Sequence, residues 1–77
     1  MISHFHAHIY YEDKTRDIAR TLRISIEKNY AVEMGRWREQ PVGPHPRAMY
    51  QVSFEPCLFG TFVPWLMLNR SGLNILV

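Results

Sequence analysis

The sequence holds four histidines, and three of them, His4, His6 and His8, recur at every second position near its start. The fourth, His45, lies between Pro44 and Pro46 in the run Pro41-Val42-Gly43-Pro44-His45-Pro46. Imidazole titrates nearest to neutrality among the side chains and is the commonest metal ligand. Residues two apart on an extended strand share a face, about 6.6 Å apart along the chain. From that spacing, imidazoles can converge on one metal at about 2.0–2.1 Å. A third imidazole from the proline loop would place three ligands on one side of the ion and leave positions open. That arrangement is close to the two-histidine, one-carboxylate sites of non-haem iron enzymes, in which substrate and dioxygen bind together. His6, His8 and His45 are the candidates, and His4 reads as a frayed terminal residue. Solvated sheet faces also carry histidines, so the spacing alone leaves both readings open. Tyr10 and Gln51 fit either partners that orient a ligand or polar groups on an open face.

Other chemistries find little support. Cys57 has no sequence partner for a triad, and neither a Ser-His-Asp order nor a phosphate-cradling glycine loop is present. Trp37 and Trp65 read as packing residues. Arg36 and Arg70 read as solvated, with a contact to a substrate carboxylate as the alternative.

The elements that must position these histidines follow from periodicity. Phe5, Ala7, Ile9 and Tyr11 alternate with His6, His8 and Tyr10. A strand would therefore have one apolar face and one face bearing imidazoles and a phenol. Asp13 or Thr15 can cap a helix reaching about Asn29, with Ile18, Leu22 and Ile26, and Ala19 and Tyr30 beside them, forming its apolar stripe. A second strand is predicted over residues 32–38, with Gly35 as a bulge. Proline restricts its own φ and the residue before it, so the loop at residues 41–46 is stiff. It delivers His45 to the start of a third strand over residues 49–54. There Tyr50, Val52 and Phe54 share one face, and Gln51 lies on the histidine face. Pro56 suits the first turn of a second helix, Pro64 should break or kink that helix into two short pieces, and Gly72 suits its end. Residues 73–77 read as a fourth strand.

The predicted order is β-α-β-β-α-β, an α+β chain. Right-handed crossovers then favour a ferredoxin-like, four-stranded antiparallel sheet with two helices on one face. The first strand is central in that topology, and its end lies beside the start of the third. His8 would thus come near the exit of the proline loop, within reach of His45.

The 77 residues support a single domain with a small core. A hydrophobic content of 47% with 21% charged residues is that of a globular chain rather than a disordered one. The net charge of +2 is spread without a basic run, so neither a nucleic-acid nor a membrane partner is expected. The single cysteine rules out an internal disulfide and fits a reducing compartment, which makes the cytoplasm the expected location. No stretch approaches the roughly 18 apolar residues of a membrane span.

Three motifs, in order, resemble the DOPA 4,5-dioxygenase family. They are His6-Ala7-His8-Ile9-Tyr10-Tyr11, the proline loop leading into Met49-Tyr50-Gln51-Val52, and Pro64-Trp65-Leu66-Met67-Leu68-Asn69-Arg70 before Gly72-Leu73. The resemblance runs over essentially the whole chain. It implies a small ferredoxin-like protein, often a homodimer. It also implies extradiol ring opening of L-DOPA or a related catechol by non-haem Fe(II) and O2. It carries metal binding onto His6, His8 and His45, with His8 and His45 as catalytic candidates. The family pattern continues past the last strand with a His-Pro pair and a histidine-containing tail. This sequence stops at Val77, so a chain truncated at its C-terminus is expected. The competing expectation is a non-catalytic metal- or ligand-binding domain on the same fold, because fold does not fix function.

Overall fold

The structure is a computed structural model that describes residues 4–38 and 48–77. Its elements are β1 (Phe5–Tyr10), α1 (Arg16–Asn29), β2 (Glu33–Met34), β3 (Met49–Phe54), α2 (Phe59–Asn69) and β4 (Asn74–Leu76). The strands form one sheet in the order β2-β3-β1-β4, and every neighbouring pair is antiparallel. This is the ferredoxin-like arrangement expected from the element order, with β1 central and Tyr10 opposite Met49.

Alternation along the central strands produces two unlike faces. On one, Ala7, Ile9, Tyr11, Tyr50, Val52 and Phe54 are all buried. They pack against Ala19, Leu22 and Ile26 of α1 and Phe62 and Leu66 of α2, so both helices cover this face. Aromatic contacts fill the centre, with Phe54 and Tyr30 each meeting Phe62 edge-on at 4.9 and 5.0 Å between centroids. Trp37 stacks on Tyr11 and Tyr50 at 4.5 and 5.4 Å, and Trp65 lies 5.3 Å from Tyr30. Both tryptophans are packing residues, as their sequence context suggested.

Local departures from the sequence expectation have physical causes. The buried stripe of α1 is Ala19–Leu22–Ile26, while Ile18 is 39% exposed. The periodicity gives the stripe, but the packing of the helix on the sheet decides which neighbouring row faces inward. Glu12, rather than Asp13, starts the helical segment. Its backbone N–H donates to Thr15 Oγ1 at 2.8 Å, and Thr15 opens α1 after a short 3-10 turn. The predicted strand over residues 32–38 shrinks to Glu33–Met34 plus one bridge at Arg38. Glu33 pairs with Ser53 and Met34 with Val52, but Arg38 rather than Trp37 pairs with Met49. One extra residue is therefore inserted after Met34, a bulge beside Gly35 as anticipated. The fourth strand is confined to Asn74–Leu76.

Pro64 does not divide the second helix, since α2 runs unbroken through it. Proline leaves the carbonyl four residues back without its helical donor. Here that residue is Gly60, which, like Pro64, is exposed, so water can serve the freed carbonyl. Phe62 and Leu66, both fully buried, hold the two halves to the core. The helix ends in a turn with Ser71 at φ 53° and Gly72 at φ 83°, closed by Leu73 N–H donating to Arg70 O at 3.0 Å. Glycine takes the second left-handed position without steric cost.

Tyr50 ties the sheet to α1, its hydroxyl donating to Ala19 O at 2.8 Å. Burial pushes the phenol well above its ordinary value, and this outweighs the lowering by the nearby Arg23 guanidinium. The folded chain therefore keeps the Tyr50 proton after the unfolded chain has lost it. Stability should be unaffected by this group below about pH 10 and fall as pH rises beyond it. Urea midpoints taken at about pH 9 and about pH 11 should show a smaller alkaline loss in Tyr50→Phe than in the wild type. An equal loss would place the alkaline sensitivity elsewhere.

Candidate functional site

The face without helices carries His6 and His8. Sheet register sets out its rows. Glu33, Ser53 and His6 lie side by side across β2, β3 and β1. Gln51, His8 and Leu76 form the next row across β3, β1 and β4. Met49, Tyr10 and Asn74 form a third. His6 is exposed and His8 half-buried. Tyr10 and Met49 are buried yet stand apart from the core beneath the helices.

The two imidazoles lie 6.4 Å apart between ring centroids, inclined at 68°. His8 Nε2 is 3.1 Å from Gln51 Oε1, and Gln51 Nε2 donates to Ser53 Oγ at 3.3 Å. An amide oxygen only accepts. With that orientation, neutral His8 carries its proton on Nε2, while its basic nitrogen, Nδ1, is buried from solvent. His8 and Gln51 share one face, as the alternation predicted, and the sheet register sets them opposite each other.

The donor set suits a transition metal in kind, because neutral imidazoles bind iron, copper, nickel and zinc. Metal-binding histidines ordinarily donate their other ring N–H to a carboxylate, a backbone carbonyl or water, and the partner here is a carboxamide. Two imidazoles side by side on one ion would have centroids roughly 5 Å apart, given metal–nitrogen bonds of about 2.0–2.1 Å. The observed pair is wider, and His8 turns one ring nitrogen to Gln51 and buries the other, so sharing an ion requires both rings to turn. Among the described residues no group of three His, Cys, Asp or Glu side chains is arranged to hold a metal. His45, the third candidate, lies outside the described residues.

The remaining candidates take structural or peripheral places. His4 is exposed ahead of β1, beside a cleft of about 280 Å³ that Glu33, Ser53 and Glu55 also line. Arg70 Nη1 donates to Leu73 O at 3.2 Å and so supports the turn into β4. Arg36 is exposed. Cys57 is an exposed free thiol whose sulfur lies 3.8 Å from Glu55 Oε2. A groove of about 520 Å³ between α1 and the end of α2 is lined by Asp17, Ile18, Thr21 and Asn69 among others, and by none of the histidines.

Sequence reasoning missed two features of this face. Glu33 shares it with His6, and Leu76 flanks His8 on the side away from Gln51. Both depend on strand register. Only the apolar alternation of β4 could have hinted at the second. Among the described residues no helix is long and apolar enough to cross a membrane.

Comparison with known proteins agrees with this fold. A crystal structure of a candidate dioxygenase from Nostoc punctiforme superposes with a TM-score of 0.94 at 50% identity. The match covers 96% of this chain and 64% of that one. An uncharacterised 21.2 kDa protein of Botryotinia fuckeliana is 41% identical over 78 residues, 95% of this chain and 43% of that protein. The chain thus spans less than two thirds of the length of each. The family described as the Dopa 4,5-dioxygenase family matches residues 5–77, and the chain belongs to that family.

Proposed function

We propose that this domain is an extradiol ring-cleaving dioxygenase acting on L-DOPA or a related catechol, with non-haem Fe(II) and O2. Family membership and the likeness to a candidate dioxygenase support the reaction class. The observation that carries the reading to particular residues is the His6–His8 pair on the helix-free face, with the His8 ring hydrogen-bonded by Gln51. His6, His8 and His45 are the residues proposed to hold the metal. Bound ferrous iron would supply the electron transfer that lets dioxygen react with an aromatic ring.

The chain's own groups have the rest of the work. The catechol must lose its second hydroxyl proton, and a histidine near neutral pKa is suited to take it. His8 and His45 are the candidates for that base. In His8 the Nε2–H faces the Gln51 carboxamide and Nδ1 is buried, so taking the proton requires the ring to turn towards the open face. Leu76, on the other side of His8 and 55% exposed, offers an apolar contact for the face or edge of an aromatic ring. The reaction balances without an external reductant. One ring carbon–carbon bond breaks, and both atoms of one dioxygen enter the product.

Labelled dioxygen tests the reading. A yellow ring-opened product carrying both atoms of ¹⁸O₂ before exchange is the expected result. Dioxygen consumed with the ring left intact would contradict it. The rival reading is a metal- or ligand-binding domain without catalysis. It draws on the His6 and His8 rings standing 6.4 Å apart, wider than one shared ion would hold them. Tight binding of iron with no dioxygen consumed on adding catechol would favour it.

A further inference from the structure

We propose that Gln51, seated against Gly35, is the positioning residue that fixes the orientation of the His8 imidazole. Its relevance to ring cleavage rests on the role proposed for His8, but the positioning itself does not. Gln51 stands directly opposite His8 in the sheet. Its carboxamide is engaged at both ends, by His8 Nε2 at 3.1 Å and by Ser53 Oγ at 3.3 Å. A β-branched residue would suit the strand better than glutamine does, so the strand itself gives no reason for an amide here.

Gly35 makes room for this side chain. A Cβ on Gly35 would lie 3.1 Å from Gln51 O and 3.3 Å from Gln51 Cβ, crowding the base of the glutamine. The glycine is itself held from two directions. Its N–H donates to Gln51 O at 2.7 Å, and its carbonyl accepts from Arg23 Nη2 at 2.8 Å. Arg23 in turn lies over the Tyr50 ring at 5.1 Å and 3.8 Å from Glu27. A continuous set of contacts therefore runs from α1 through the bulge to Gln51 and on to His8. A histidine side chain turns about two bonds, and a hydrogen bond to one ring nitrogen selects among its orientations. Here it has a partner whose own place is set by backbone.

The test is side-chain ¹³C relaxation of the histidine rings in the metal-free chain, with exposed His6 as internal reference. In the wild type the His8 ring should be well ordered. Gln51→Leu should lower its order parameter towards that of His6, while Gln51→Glu should keep it, because a carboxylate oxygen can accept from Nε2–H. Gly35→Ala should produce a partial loss by displacing the glutamine. A His8 ring equally ordered in wild type and Gln51→Leu would overturn the proposal. Should Gln51→Leu fail to fold, Gln51→Asn, too short to reach, gives the same readout. In an active preparation Gln51→Leu should lower kcat about 10- to 100-fold with little change in KM. The relaxation arm contains neither metal nor catechol, so an inert wild type would defeat the ring-cleavage reading without touching this one.

Discussion

His8→Ala is expected to lower the rate of catechol ring opening by on the order of 10²–10⁴-fold, the range for losing a positioned acid–base group, or to abolish it if His8 is also a ligand. The fold should survive the change. His8 is half-buried on the face opposite the helices and makes no part of the cluster beneath them. Loss of the ring releases the Gln51 carboxamide, which can turn to water because Gln51 is only partly buried. Dioxygen uptake and circular dichroism on one preparation decide the matter. An unfolded His8→Ala chain would make the histidine structural, and a folded chain with full activity would remove it from the chemistry. His6→Ala is expected to act through metal retention, because its exposed ring has no described hydrogen-bond partner that would orient it as a base.

The largest expected effect on stability is that of Phe62→Ala. Phe62 is fully buried, and its ring meets Tyr30, Phe54 and Trp65 within 4.9–6.3 Å between centroids. Truncating a buried phenylalanine costs about 3–5 kcal/mol, through lost transfer free energy and the cavity left behind. A domain of this size has a total stability of only about 3–5 kcal/mol from its core. Phe62→Ala should therefore be largely unfolded at room temperature. Thermal melts followed by circular dichroism would show it, with Leu68→Ala as the control. Leu68 is 86% exposed on the same helix, and its loss should leave the melt nearly unchanged. A cooperative melt for Phe62→Ala close to that of the wild type would mean that the core does not depend on this aromatic cluster.

How far the sequence carried the account depended on the range of the interactions involved. Strict alternation in β1 and β3 is local, so both strands, their buried faces and the placing of Gln51 on the histidine face were legible. The length of β2 was not. Its pairing slips by one residue between Met34 and Arg38, where Trp37 stacks inward on Tyr11 and Tyr50, a contact between residues distant in the sequence. Gly35 was readable as a bulge, but its approach to the Gln51 side chain was not, because the contact spans two strands. The apolar rows of α1 were visible, yet choosing Ala19 over Ile18 as the inward residue required the packed sheet. Pro64 misled because the helix-breaking rule takes no account of an exposed carbonyl and two buried anchors, Phe62 and Leu66. Of the three proposed ligands, the structure brings His6 and His8 to one face, while His45 lies outside the described residues.

The most direct test of the proposed function is dioxygen uptake by the anaerobically Fe(II)-loaded chain on adding L-DOPA or a simple catechol. One dioxygen consumed per ring opened, dependent on iron and lost in His8→Ala, is the predicted result. A folded, iron-bound chain that consumes no dioxygen, or uptake that proceeds equally in the His8→Ala variant, would contradict it.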